Sequence, residues 1–122
     1  MFIEFNVTNY RSIRETQTIS MVASKYYNEL DEMNCFDSGV TGLQKMLRSA
    51  VLYGPNAAGK SNLFRALHFM QSFVLESHSL QEGQTIKTVP FALNERSQDE
   101  PSEFEIFFLQ DNVRYQYGFA AN

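Results

Sequence analysis

The sequence predicts an α/β fold: an antiparallel, β-rich lobe drawn from both ends of the chain, built around one central strand, glycine loop and helix. Three observations carry this. Ile3, Phe5 and Val7 alternate with Glu4, Asn6 and Thr8 near the start, the period-two pattern of a half-buried strand. Residues 103–109 and 114–120 form two strand-like runs around Gln110, Asp111, Asn112 and Val113, a hairpin signal. Between these ends, the short run Ser49, Ala50, Val51, Leu52, Tyr53 meets a glycine-bearing octet that opens the best helical pattern in the chain.

Taken in order, the first strand is expected over residues 2–8. Residues 9–15 break the alternation, and 16–23 resume a β-rich composition with Ile19, Met21 and Ala23 at matching spacing, so the chain opens with an antiparallel hairpin. Residues 24–47 mix Tyr26, Tyr27, Leu30, Met33 and Phe36 with Asn28, Asn34, Asp37, Gly39 and Gly42, an irregular excursion with a short helical turn. Residues 49–53 are predicted as a buried strand. From Lys60 to about Ser77, Leu63, Leu67, Met70 and Val74 recur at helical spacing, widened by Phe64, Ala66 and Phe73. His68 and His78 fall within and just past this helix and are assigned no chemistry. Residues 79–87 read as a loop, 88–93 as a short edge strand demoted by Pro90, and 94–102 as a solvated loop.

Composition narrows the function. A chain of 122 residues is one domain at most. Its net charge of −4 supplies no general attraction for nucleic acid, so DNA contact is expected only through regions outside this segment. Cys35 is the single cysteine, which fits a reducing compartment. With no basic-then-apolar leader and no apolar run approaching 18 residues, the expectation is a cytoplasmic protein without membrane association.

The octet Gly54, Pro55, Asn56, Ala57, Ala58, Gly59, Lys60, Ser61 matches the phosphate-loop pattern G-x-x-x-x-G-K-[ST], in the strand-then-helix context that pattern requires. Glycines at both ends allow positive φ and close backbone approach to an anion. The helix then aims free N–H groups and its positive dipole end at the same charge. Lys60 is expected on β and γ phosphate oxygens and the Ser61 hydroxyl on Mg²⁺. A nucleoside triphosphate, ATP with Mg²⁺, is the leading ligand; the bland alternative is an ordinary glycine turn before a helix.

Hydrolysis needs more. A second Mg²⁺-binding acid at the end of a buried strand is usual, and the one candidate, Asp111, is followed by Asn112 and a second strand, which is turn chemistry. The catalytic group therefore stays unassigned.

The opening Phe2 to Ile13, the Gly54 to Ser61 loop with Asn62 and Leu63, and the late Tyr115, Gln116, Tyr117, Gly118, Phe119 resemble the N-terminal lobe of ABC-type ATPases. The nearest branch is the AAA-family ATPases akin to chromosome-maintenance and recombinational-repair ATPases, with the overcoming-lysogenisation-defect and anti-phage defence types. The likeness covers nearly all of this chain but only the first part of such a protein. It implies that Asn9 to Ser12 folds over the nucleotide, with Arg11 and Ser12 touching it; a surface turn carrying an arginine is the alternative. It implies a homodimer or higher oligomer sandwiching ATP and driving an effector, often a nuclease. The Walker B acid, signature motif and switch histidine of the family have no counterpart here, and the Mg²⁺-sensing glutamine stays open among Gln81, Gln84, Gln98 and Gln110. The 122-residue chain alone is thus expected to be inactive. A P-loop kinase or GTPase, whose phosphate loop lies nearer the N-terminus, and a non-enzymatic interaction module with a vestigial loop are the competing readings.

Overall fold

The alternation at the start forms strand β1, Phe2–Thr8, which pairs on one side with β2, Gln17–Ser20, and on the other with β5, Ser102–Gln110, itself paired with β6, Val113–Ala121, in an antiparallel sheet of order β2-β1-β5-β6. The computed structural model describes residues 1–26, 29–55, 59–79, 84 and 86–122. Strands β5 and β6 are joined through Asp111 and Asn112, both at positive φ (50° and 62°), as a two-residue type I′ hairpin requires. Asp111 is accordingly an exposed turn residue.

The helix expected from Lys60 is α2, Lys60–Glu76 (α1 is defined below). It lies on one face of the sheet and buries Ala66 and Met70 against Phe5, Val7 and Phe104. Leu63, Leu67 and Phe69 flank that contact, and Phe73 stacks on Phe119 with ring centroids 4.0 Å apart. Phe64 and Val74, both expected in the stripe, stand largely in solvent; Phe69 takes the inward place.

The strand pattern conceals a second core. A bulge at Ile3 shifts the pairing from Phe2↔Phe108 to Glu4↔Phe107. An extra residue in one strand reverses the alternation there, so Ile3 turns to the opposite face from Phe5 and Val7. It packs with Met46 and Leu109. Met46 belongs to the excursion after β2, which holds a one-turn helix α1, Asp31–Asn34, and a small ladder of β3, Cys35–Phe36, with β4, Met46–Leu47. The ladder joins the main sheet through Leu47 N–H to Met21 C=O (2.7 Å) and Met21 N–H to Ile3 C=O (2.8 Å). Local sequence shows neither strand, since each is two residues long and defined by its partner.

Three expectations change. Residues 49–53 form no strand: Val51 is 82% exposed and Tyr53 91%. A strand needs a hydrogen-bonded neighbour, and no described strand runs beside this segment. The segment 88–93 is likewise not a strand, although Val89 C=O accepts from Arg11 N–H at 2.7 Å. The loop expected at 94–102 contains helix α3, Glu95–Asp99, capped by the Asn94 side chain accepting from Arg96 N–H at 3.0 Å; an Asn before an acidic first turn is the signal that marks it.

Candidate functional site: the hairpin tip against the phosphate-loop helix

After β1 the chain reverses within four residues. Tyr10 and Ile13 exchange both backbone hydrogen bonds at 2.8 Å, leaving Arg11 and Ser12 at the tip of a tight turn. Tyr10 and Ile13 are buried in the α2-side core, with the Tyr10 ring edge-on to Phe104 at 5.4 Å, so the tip is anchored on both sides. Arg11 has φ +52°, a conformation that costs a non-glycine residue and concentrates at functional places.

Asn9 fixes the base of this turn. It is 3% exposed; its amide donates to the carbonyls of Ser97 (2.7 Å), Glu100 (2.9 Å) and Pro101 (3.3 Å), and its Oδ1 accepts from Phe91 N–H (3.1 Å). Ser102, fully buried, donates its hydroxyl to the Asn9 carbonyl at 2.5 Å. One side chain thus ties the end of β1 to the segment leading into β5.

The tip meets the start of α2. Asn62 Nδ2 donates to Ser12 Oγ at 2.7 Å, and Arg65 Nη1 donates to Asn62 Oδ1 at 3.2 Å. Gly59 caps the helix in the left-handed conformation (φ 85°), and a Cβ there would lie 3.1 Å from Ser12 Oγ. Glycine is therefore needed twice over, for its φ and for the space. Ser61 lies exposed in the first turn. Lys60 Nζ donates to the carbonyls of Gly54 and Pro55, which folds the ammonium back over the loop. Asn56, Ala57 and Ala58 lie outside the described residues.

A cavity of about 360 Å³ opens beside these groups, with Ser12, Arg14, Gln17, Tyr53, Gly59 and Lys60 on its wall and Ile13, Leu52 and Leu63 behind. Among the described residues two cations line it and no carboxylate does, in a chain of net charge −4. A larger hollow of about 670 Å³ lies on the outer face of the sheet over Asn6, Glu105 and Gln116, but its acids disfavour an anion. Among the described residues no group of three His, Cys, Asp or Glu could hold a metal.

Ser12, Gly59, Lys60 and Asn62, all expected at the site, lie near one another. Arg11, expected at the nucleotide, rests on its own neighbour Tyr10. Its Nε donates to the Tyr10 phenol at 3.1 Å, its guanidinium lies 5.5 Å from that ring's centre, and it does not line the cavity. Arg14, Gln17 and Tyr53, which do, were not singled out. Gln17 pairs with Val7 and so shares the helix-bearing face, a relation that only the register reveals.

Residues 49–122 match the family model described as "AAA domain, putative AbiEii toxin, Type IV TA system". The chain belongs to this family. No curated protein and no solved structure matches it. As an AAA domain it is a nucleotide-binding, ATPase-like P-loop module, and the family as a whole uses ATP with a divalent metal. The matched span starts at the segment before the loop and runs through β6, so the β1–β2 hairpin that supplies Ser12 and Arg14 lies outside it. No helix among the described residues is long and apolar enough to cross a membrane.

Proposed function

We propose that this AAA domain binds ATP with Mg²⁺ through Gly54 to Ser61, with Asn62 and Ser12 closing over the phosphates and Arg11 at the tip as a further contact, as the N-terminal part of an ABC-type ATPase. The observation that carries this reading is the Asn62–Ser12 hydrogen bond at 2.7 Å. It joins the β1–β2 hairpin to the first turn of the phosphate-loop helix, beside a glycine whose missing Cβ leaves a cradle.

The residues fit the ligand. A phosphate would replace the carbonyls of Gly54 and Pro55 on Lys60, exchanging neutral acceptors for charged ones that hold an ammonium more strongly. The positive dipole end of α2 would favour the same charge. Mg²⁺ characteristically takes few protein ligands and keeps phosphates and water for the rest, so the exposed Ser61 hydroxyl meets its need; bound there, the ion neutralises phosphate charge. Arg11 would have to leave the Tyr10 phenol to reach a nucleotide. By family likeness, two such domains join around nucleotide and pass its binding to an effector, a nuclease among the candidates, in anti-phage defence or a toxin–antitoxin pair.

Calorimetric titration with Mg²⁺–ATP tests the core of this. Lys60→Ala removes a charge-assisted contact worth about 1.5–3 kcal/mol, roughly ten- to a hundredfold in affinity, and GTP competes more weakly than ATP. Equal affinity of wild type and Lys60→Ala would refute the assignment.

A further inference from the structure

Of the two arginines in the first hairpin, the one whose head group is uncommitted is Arg14. Arg11 donates to the Tyr10 phenol and packs on its ring. The Arg14 guanidinium makes no hydrogen bond and no ion pair with any described residue; the ion pair among those residues is Lys45 with Asp31. Yet the Arg14 backbone is held firmly. Its carbonyl accepts from Asn9 N–H at 3.2 Å, and the preceding Ile13 is 6% exposed in the core. A positioned backbone with a free cationic head is what a ligand-binding arginine needs, because the chain bears the ordering cost before the ligand arrives.

The cavity wall sets the partner. Arg14 shares it with Lys60, Gly59 and Ser12, and among the described residues no acid lines it; on its other side Arg14 borders a second hollow that carries Glu15, Glu100 and Glu103. We infer that Arg14 is a second cation of the nucleotide site, gripping the polyphosphate from the hairpin side while Lys60 holds it from the loop, with the Gln17 amide beside it. The inference rests on the nucleotide-binding reading above. A guanidinium offers a planar fork of N–H donors that matches phosphate oxygens two at a time, so the contact scales with the number of phosphates and weakens with salt.

The test compares wild type, Arg14→Ala, Arg14→Lys and Lys60→Ala, titrated with Mg²⁺–ATP, Mg²⁺–ADP and adenosine at two salt concentrations. Arg14 is exposed, so thermal midpoints of the Arg14 variants stay at the wild-type value. Arg14→Ala lowers ATP affinity about tenfold, lowers ADP affinity less and leaves adenosine unchanged. Arg14→Lys recovers part of the loss, and the wild-type advantage shrinks at high salt. Wild-type affinity in Arg14→Ala, while Lys60→Ala is impaired, overturns the role of Arg14 and leaves the phosphate loop standing. A loss equal for adenosine and ATP also overturns it, since that marks a contact to the nucleoside. Failure of wild type to bind ATP overturns both readings.

Discussion

Replacing Asn9 with alanine should destabilise this protein more than any other change at the base of the first hairpin. The side chain is 3% exposed and spends both ends: its amide on the Ser97, Glu100 and Pro101 carbonyls, its oxygen on Phe91 N–H. Alanine strands at least one buried donor and one buried acceptor, each costing about 1–3 kcal/mol when water cannot replace the partner. The backbone adds to this. Asn9 has φ +51°, where asparagine is tolerated and alanine pays about 1 kcal/mol. The sum is about 3–7 kcal/mol, a large share of the 5–15 kcal/mol typical of a whole domain. At roughly 4 °C per kcal/mol for a domain of this size, the thermal midpoint falls by about 12–28 °C. Urea unfolding followed by circular dichroism, alongside Asn9→Asp, checks the reasoning. The aspartate keeps the acceptor for Phe91 N–H but turns a carboxylate oxygen toward carbonyls, so it rescues little. A loss below about 1 kcal/mol for Asn9→Ala would mean that water satisfies the freed groups and that Asn9 is no hub.

Two further outcomes follow from single side chains. Gly59→Ala forces a Cβ to 3.1 Å from Ser12 Oγ at φ 85°, which costs about 1–2 kcal/mol and pushes the hairpin tip from Asn62; an unchanged melting curve would contradict it. Burial pushes the Cys35 thiol up from its ordinary value of 9.0, and the neighbouring Asp31 carboxylate, accepting from Sγ at 3.6 Å, pushes the same way. Native protein at pH 8 therefore reacts with a thiol reagent more slowly than urea-unfolded protein. Because the unfolded thiol ionises first, this stabilisation is intact below the ordinary value of 9.0 and is lost as pH rises through the higher folded one. Equal reaction rates in the two states would show the thiol to be open.

Much of this protein is written locally. The 2–8 alternation, the helix from Lys60 and the turn at Asp111–Asn112 each follow from a short stretch, because period, capping and turn chemistry act within a few residues. The octet Gly54 to Ser61 matches the phosphate-loop pattern for the same reason, since that pattern is defined by residue types within eight positions. What the sequence could not decide is everything that depends on a partner far along the chain. The strand expected at 49–53 needs a neighbour that no described strand provides, and β3 and β4 exist only as each other's partner. The bulge that sends Ile3 to the second core exists only in the pairing of β1 with β5. The cavity wall is decided at the same level. Arg11 and Arg14 are equally basic in the sequence, and only the tertiary structure sets one guanidinium on a phenol and leaves the other without a partner among the described residues, on the wall of the cavity that Lys60 also lines.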